Sequence, residues 1–267
     1  MKTVYFENNE FKYETIDELI KEASEHNILI HKTNEIGDKV QIGSNVFLGY
    51  GVKIRHDARI GNNSYILYDS IIYNSVKIGN DVKVGNRSKI LASAIINNDV
   101  EIGNNVSIGC EAKIKDGSDI DNDTNIRHNV TIGKNTNIGK NVSIGESTMI
   151  KDDIIVLNYS SIGSGCVVKS STTIGKKTII RDNTNIGCCV KLGRNVIVGR
   201  DVIIGDNARI NNHVKDNSVV KATQKHSDMS EISNTAMYLN DFDFDALSLD
   251  VLREIYKLTK TDKESKQ

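Results

Sequence analysis

The sequence contains no tryptophan and no proline, and phenylalanine and tyrosine together make up only 5% of its 267 residues. So few aromatic rings argue against a globular core and favour a narrow interior filled with aliphatic side chains. No apolar run reaches the roughly 18 residues that a membrane-spanning helix needs, and the N-terminus lacks the apolar segment of a secretory signal. We therefore expect a cytoplasmic protein without membrane insertion.

Neither sign of charge is in excess, since 34 Lys and Arg face 35 Asp and Glu, for a net charge of −1. This balance argues against a nucleic-acid partner. The cysteines, Cys110, Cys166, Cys188 and Cys189, show no Cys-x-x-Cys spacing. Because Cys166 falls at an inward position of the repeat described below, we expect reduced thiols with structural roles. A soft-metal site or oxidation at the adjacent pair is the alternative.

An aliphatic residue stands at every sixth position from Ile36 to Ile210, and 24 of these thirty residues are isoleucine. A small or β-branched residue lies two positions before each one, which is the period-2 pattern of a short strand. Glycine follows the aliphatic residue in seventeen hexads, and Asn, Asp or Gly fills the fourth place in nineteen. These residues tolerate the left-handed backbone of a tight turn. Each hexad is therefore predicted to be one strand and one turn.

A six-residue unit cannot bury its apolar pair alone, so the hexads are predicted to coil and stack into a parallel β-helix. The pattern [Ile/Val/Leu]-Gly-x-Asn-[Val/Thr/Ser]-x resembles the hexapeptide-repeat family of left-handed β-helices. In that family three hexads make one triangular coil. The resemblance thus implies an all-β fold, a single-stranded left-handed parallel β-helix of about ten coils, on the order of 45 Å tall at roughly 4.8 Å per coil.

Residues 1–35 are predicted to form a small α/β cap over the open N-terminal end of the β-helix. Short strands are expected at 3–6, 11–13 and 28–31. A capping box at 15–18 should start a helix between the second and third strands.

The repeat domain, 36–221, keeps its register to about residue 215 and ends in a half coil. Its coils therefore contain no inserted loop that would wall an active site. Residues 222–267 are predicted to be a linker, a C-terminal amphipathic helix and a disordered tail. The predicted chain thus has a cap, a β-helix and a C-terminal extension.

Two of the six histidines, His56 and His128, are expected at one corner of the β-helix, because residues eighteen apart should stack. Their contexts are parallel: Ile-Arg-His-Asp at 54–57 and Ile-Arg-His-Asn at 126–129. The segment HNVTIG at 128–133 resembles the histidine-bearing coil of hexapeptide acyltransferases, including the sugar N- and O-acyltransferases. In those enzymes the corner histidine is the general base in a cleft between subunits of a trimer. The resemblance implies His128 as the base, with His56 as the second candidate.

The chemistry needs little beyond this histidine. An imidazole can take a proton from an attacking amine or hydroxyl at neutral pH while the nucleophile adds to a thioester. Glu146, one coil above His128, is predicted to fix its tautomer, and a backbone N–H can stabilise the oxyanion. The lipid A enzymes place glycine where this chain has Glu146. No cofactor-binding residues stand out, although Arg127 and Arg181 are candidates for contacting phosphates.

The resemblance implies an acyltransferase that moves an acetyl or longer acyl group from acetyl-coenzyme A, another acyl-coenzyme A or acyl carrier protein. The acceptor would be an amine or hydroxyl of a sugar or nucleotide-sugar. A non-catalytic scaffold or binding module is the alternative, favoured by the unbroken register, and its histidines would be polar surface residues. No metal is expected, because the carbonic anhydrases that share this fold need further histidines near the site.

Apolar residues also occupy some outward strand positions, which should be polar on a free surface. They fall in two stacked columns: Ile95, Met149, Val167 and Ile203 in one, and Ile71, Ile179 and Ile197 in the other. Such stripes, together with the resemblance, predict the subunit contacts of a homotrimer. Ordinary β-propensity of exposed strands is the alternative explanation.

Overall fold

The repeat folds as a parallel β-helix of about ten coils, as predicted. The structure is a computed structural model that describes residues 1–7 and 9–222. Strands of the repeat from Ile36 to Ile210 pair in parallel with strands one coil away, so residues eighteen apart lie side by side, as Asn125 does with Ser107. The predicted linker, C-terminal helix and tail lie outside the described residues.

Three sheets form the faces of the prism. Sheet A contains the strands Lys2–Phe6, Asn9–Tyr13, Val40–Ile42, Arg59–Ile60, Lys77–Ile78, Ile95–Ile96, Lys113–Ile114, Thr131–Ile132, Met149–Ile150, Val167–Val168, Asn185–Ile186, Ile203–Ile204 and Val219–Val220. Sheet B contains Phe47–Leu48, Tyr65–Ile66, Lys83–Val84, Glu101–Ile102, Asp119–Ile120, Asn137–Ile138, Ile155–Val156, Thr173–Ile174, Lys191–Leu192 and Arg209–Ile210. Sheet C contains Glu35–Ile36, Lys53–Ile54, Ile71–Ile72, Lys89–Ile90, Ser107–Ile108, Asn125–Ile126, Ser143–Ile144, Ser161–Ile162, Ile179–Ile180 and Ile197–Val198.

The interior is filled by the aliphatic residue of each hexad and the residue two positions before it. Ile126, Val130 and Ile132, for example, are all buried. Where the inner residue is Ser or Thr, its hydroxyl donates to a backbone carbonyl of the next coil, as Thr136 does to Lys151 at 3.1 Å. No buried polar side-chain atom among the described residues lacks a hydrogen-bond partner, so polar residues are accommodated inside the prism without the cost of unpaired groups.

Every turn of the repeat uses the same backbone conformation. From Lys39 to Asn207 each sixth residue has a φ between +50° and +69°. This is the fourth place of the hexad, where Asn, Asp and Gly were found in excess, and these residues adopt the left-handed region at least cost. The side chain at the third place therefore points outward at each corner.

The N-terminal cap extends sheet A. Its first strand, Lys2–Phe6, pairs in parallel with Val40–Ile42 and antiparallel with Asn9–Tyr13. Helix α1, Ile16–Glu25, starts at the predicted N-cap, where the Thr15 hydroxyl accepts from the Glu18 N–H at 3.3 Å. No helix among the residues placed by the structure is long and apolar enough to cross a membrane.

The predicted strand at 28–31 is wrong. Only Leu29 makes a bridge there, to Phe47 of sheet B. A tight turn follows at once, because the Asn34 side-chain oxygen accepts from the His31 N–H at 2.6 Å. The His31 carbonyl also accepts from the Asn34 N–H at 2.9 Å, which ends the ladder after one residue.

Candidate active site at a corner of the prism

His128 lies at the corner between sheets C and A. The strand Asn125–Ile126 enters this corner and Thr131–Ile132 leaves it. Buried Val130 anchors the turn from inside, and Asn129 supplies the positive φ of +58°. The imidazole is therefore held on the outside of the prism, where it is exposed.

The predicted column is present at this corner. The N–H of Asn129 donates to the Cys110 carbonyl, and the N–H of Ser147 donates to the His128 carbonyl, both at 3.0 Å. Cys110, His128 and Glu146 thus occupy three successive coils. His56 stands four coils below His128, about 19 Å away at roughly 4.8 Å per coil, so the two histidines cannot serve one site in the same chain.

Each histidine ring accepts a backbone hydrogen bond from the coil below. His128 Nδ1 accepts from the Cys110 N–H at 2.9 Å, and His56 Nδ1 accepts from the Asp38 N–H at 3.3 Å. In a neutral imidazole one nitrogen donates and the other accepts. An accepting Nδ1 therefore places the hydrogen on Nε2, the nitrogen farther from the backbone.

The same hydrogen bond recurs throughout the repeat with other side chains. At the equivalent place, the oxygen of Asn80 accepts from the Asn62 N–H at 2.8 Å, and that of Asp182 accepts from the Ser164 N–H at 2.8 Å. Nine further Asn or Asp residues of the regular turns do so: Asn62, Asn86, Asn98, Asn104, Asp116, Asn122, Asp152, Asn158 and Asp206. The two corner histidines thus share a structural role with these residues.

Glu146 is exposed, and its carboxylate makes no hydrogen bond or ion pair with any described residue. The structure therefore brings the Cys110 amide to the His128 ring, whereas the predicted orienting carboxylate is one coil away without a contact. Below His56, the Asp38 carboxylate is already bound by the Thr3 N–H at 2.8 Å. That bond is the main cause of the lowered pKa of Asp38.

One residue near the site was not singled out from the sequence. It is Gly109, above which the backbone of Arg127 and His128 lies. A Cβ added at Gly109 would stand 2.4 Å from the Arg127 carbonyl carbon and 2.5 Å from the His128 nitrogen. Gly109 could have been found by reading the sequence eighteen positions before Arg127.

The candidate arginines are separated along the prism. Arg127 is adjacent to His128 and exposed, while Arg181 lies three coils above and faces Asp216, with Nη1 and Oδ1 3.6 Å apart. They cannot bind one small phosphate group within a single chain.

Sheets C and A, which meet at the histidine corner, carry the two apolar stripes. Ile179 belongs to sheet C and is 42% exposed, while Met149 and Ile203 belong to sheet A and are 38% and 53% exposed. Outward positions of sheet B in the upper coils are largely polar, apart from Ile155. The histidine corner is therefore the edge between the two faces that carry the apolar stripes.

Other features lie away from this corner. A groove with a volume of about 450 Å³ runs over sheet A beside the cap, where Tyr5, Gln41 and Arg59 line it, and it includes none of the predicted site residues. No group of three or more His, Cys, Asp or Glu side chains within residues 1–7 and 9–222 is arranged to hold a metal ion. Cys166 is buried, as predicted, and burial raises the pKa of its thiol to about 11.

Two protein-family models match parts of the chain. One describes the GMPPB C-terminal domain and matches residues 24–111, and the other describes the hexapeptide repeat of succinyl-transferase and matches residues 129–158. The second match lies within the hexad repeat that forms the β-helix. No curated protein sequence matches it significantly.

Several solved structures resemble this hexapeptide-repeat protein. A UDP-N-acetylglucosamine acyltransferase from Arabidopsis is 18% identical, with 89% of this chain and 87% of that chain covered and a TM-score of 0.36. The enzyme of the same name from Campylobacter jejuni is 16% identical over 80% and 82% of the two chains, with a TM-score of 0.29. A putative acetyltransferase from Bacillus cereus is 15% identical over 78% and 91%, with a TM-score of 0.21. Likenesses this distant carry no argument about activity.

Proposed function

We propose that this hexapeptide-repeat protein is an acyltransferase that acts as a homotrimer. It would move an acetyl or longer acyl group from acetyl-coenzyme A, another acyl-coenzyme A or acyl carrier protein to an amine or hydroxyl of a sugar or nucleotide-sugar. The observation that carries the proposal is the position of His128, exposed at the edge where two apolar-striped sheets meet. A neighbouring subunit packed on either stripe would turn that open edge into a cleft.

In this proposal His128 is the general base, and it must first present an unprotonated nitrogen to the acceptor. In the described conformation Nδ1 is occupied by the Cys110 N–H. A half-turn of the exposed ring about its Cβ–Cγ bond would release that amide and turn Nδ1 toward the coil of Glu146. Nε2 would then lose its hydrogen to solvent while Nδ1 gains one from solvent, which exchanges one neutral tautomer for the other. The carboxylate would then hold the tautomer in which Nε2 accepts a proton.

The proposed reaction balances without a metal or redox partner. The acceptor nitrogen or oxygen forms a bond to the thioester carbonyl carbon while His128 Nε2 takes its proton. The carbon–sulfur bond breaks, and the departing thiolate takes the proton from the imidazolium. The Cys110 N–H, once released from the ring, would be a backbone donor for the oxyanion.

His56 is the second candidate base. Its ring makes the longer hydrogen bond, 3.3 Å against 2.9 Å, but the carboxylate below it is bound to Thr3. It has Asn74 above it instead of a carboxylate. His128 is thus the better-equipped of the two.

A non-catalytic scaffold is the second candidate function, and one observation favours it. The Nδ1 hydrogen bonds of both histidines match those of the Asn and Asp residues at the same turn place. Holding the coils together is a sufficient reason for a histidine to be there.

Calorimetric titration of the purified protein with acetyl-coenzyme A, with a light-scattering mass, tests the proposal. We expect binding at one site per subunit and the mass of a trimer. If the trimer does not bind acetyl-coenzyme A, the titration would be repeated with acyl carrier protein that carries a short acyl chain. Absence of binding to both donors would refute the acyltransferase proposal and favour the scaffold.

A further inference from the structure

An exposed group of rings lies at the N-terminal end of sheet B, on a different corner from His128. One column runs up the strand positions through Leu29, Phe47 and Tyr65. A second column runs up the next corner through Tyr50 and Tyr68, with His31 against its lower end. We call Phe47, Tyr50, Tyr65 and Tyr68 the aromatic ladder.

The rings of the aromatic ladder are held in register by the coils. The Tyr50 and Tyr68 centroids are 5.6 Å apart with planes at 16°, and those of Phe47 and Tyr65 are 6.2 Å apart at 33°. The ring of His31 meets Tyr50 edge-on at 3.9 Å. One tilted pair therefore lies on the outer face of sheet B, and one stacked pair lies at the corner that follows it along the chain.

The fold does not need these rings for its core. The neighbouring inward residues Leu48 and Ile66 fill the interior and are fully buried. Outside it, Tyr50, Tyr65 and Tyr68 are 56%, 52% and 42% exposed. Tyr159 is the sole aromatic residue from 74 to 222, so the concentration of rings in two coils points to a binding surface.

The ladder is preorganised by a glycine. A Cβ added at Gly49 would stand 2.9 Å from both Cδ1 and the backbone nitrogen of Tyr68. The Tyr68 ring thus lies down on the bare backbone of the coil below. A surface fixed in this way loses little side-chain entropy when a ligand binds.

Charges around the ladder cancel. Lys83, the outward residue above Tyr65, lies beside Glu101 in the next coil. Arg87 follows Asp69 in the same corner column, eighteen residues on. A nucleic acid would require cations without nearby carboxylates to meet its phosphates. The patch instead fits a neutral ligand that offers a flat apolar face and hydroxyl groups.

We infer that the aromatic ladder binds a neutral carbohydrate chain. The C–H bonds on one face of a pyranose ring would lie against the electron-rich faces of Tyr50, Tyr65 and Tyr68. Sugar hydroxyls would bond to the tyrosine hydroxyls and to Asn86, which follows the ladder in the corner column. The inference goes beyond the proposed acyltransferase and requires nothing of the histidine corner.

Saturation-transfer NMR on the full-length protein tests this inference, with chitohexaose, cellohexaose and maltohexaose as probes. We expect saturation of ring C–H protons for at least one probe. The variant Tyr50→Asn/Tyr68→Asn should bind that probe about tenfold or more weakly. Asparagine suits both positions, because Asn86 occupies the same place and its oxygen accepts from the Tyr68 N–H at 3.1 Å.

Two control variants sharpen the test. Tyr159→Asn removes an isolated tyrosine that is 51% exposed and has a φ of +62°, so it should keep full affinity. His128→Asn should also keep full affinity for the hexasaccharide. Sugar binding by the ladder can therefore be tested independently of the acyltransferase proposal. Equal weakening by Tyr159→Asn would overturn the inference.

Three other results would also overturn it. One is the absence of saturation transfer from all three hexasaccharides at millimolar concentration. Another is saturation transfer to a thymidine hexanucleotide but to none of the hexasaccharides. The third is protection of Tyr50 and Tyr68 from tetranitromethane nitration, relative to Tyr159, in the sugar-free protein, because a second copy or residues 223–267 would then cover the ladder.

Discussion

Replacing His128 with asparagine separates a structural histidine from a catalytic one. The Nδ1 atom of His128 accepts from the Cys110 N–H at 2.9 Å. Asparagine at the same place in other coils accepts the same bond, as Asn122 does from the Asn104 N–H at 2.6 Å. His128→Asn should therefore keep the hydrogen bond and lose the imidazole, whereas His128→Ala loses both.

The size of each effect follows from these contacts. One hydrogen bond at an exposed corner contributes about 1 kcal/mol, which corresponds to about 2–4 °C in Tm for a chain of this size. We expect that decrease for His128→Ala and a change within about 1 °C for His128→Asn. Because an amide cannot act as a base at neutral pH, both variants should lose turnover by about 10²- to 10⁴-fold.

The assay combines a thermal melt followed by circular dichroism with chromatographic measurement of released coenzyme A. His56→Asn is the matched control, with the same substitution four coils away, and should leave turnover unchanged. Full turnover in His128→Asn would refute the assignment of His128 as the general base. If His128→Asn melts at a temperature as low as that of His128→Ala, asparagine does not replace the histidine hydrogen bond.

Three further predictions concern the cap, a buried thiol and the glycine under the site. The lowered pKa of Asp38 means that its carboxylate stabilises the fold above the ordinary value of 3.8 and that this contribution is lost as pH falls through the lowered value. Acid titrations should show a smaller loss of stability in Asp38→Asn than in the wild type, and equal losses would contradict this. Cys166 should resist a thiol reagent at pH 8 until unfolding, whereas exposed Cys189 reacts at once; simultaneous reaction would count against the buried position. Gly109→Ala should destabilise the protein by about 1–3 kcal/mol in urea melts, because its Cβ meets the backbone of the next coil, and a neutral result would show that the coils can separate.

Most of the fold was predictable because the same strand-and-turn pattern recurs in thirty consecutive hexads. The fourth hexad place was expected to carry left-handed backbone, and it does so even at Lys39, Arg87 and Tyr159. There the stacked coils impose a conformation that the residue alone disfavours. The strand expected at 28–31 failed for the opposite reason, since a single local hydrogen bond to Asn34 ended it.

The candidate site was predictable only in part. The eighteen-residue period placed His128 over Cys110 and under Glu146, since the stacking depends on backbone pairing alone. It did not reveal which neighbour the ring contacts, because that depends on side-chain rotation. The aromatic ladder was also missed, although the eighteen-residue spacings of Phe47 from Tyr65 and of Tyr50 from Tyr68 were visible in the sequence.

The structural role of His128 and its proposed catalytic role can be reconciled through the exposed position of its ring. A side chain buried in the prism would be fixed by its packing, but at a corner only one hydrogen bond, of about 1 kcal/mol, opposes rotation. A subunit or substrate that removes water from this edge would strengthen the attraction between the ring N–H and Glu146. The Cys110 N–H would then hold the histidine in a resting tautomer, and this hydrogen bond would break when the subunit or substrate binds. This is why the asparagine variant, which keeps the resting bond alone, distinguishes the two roles.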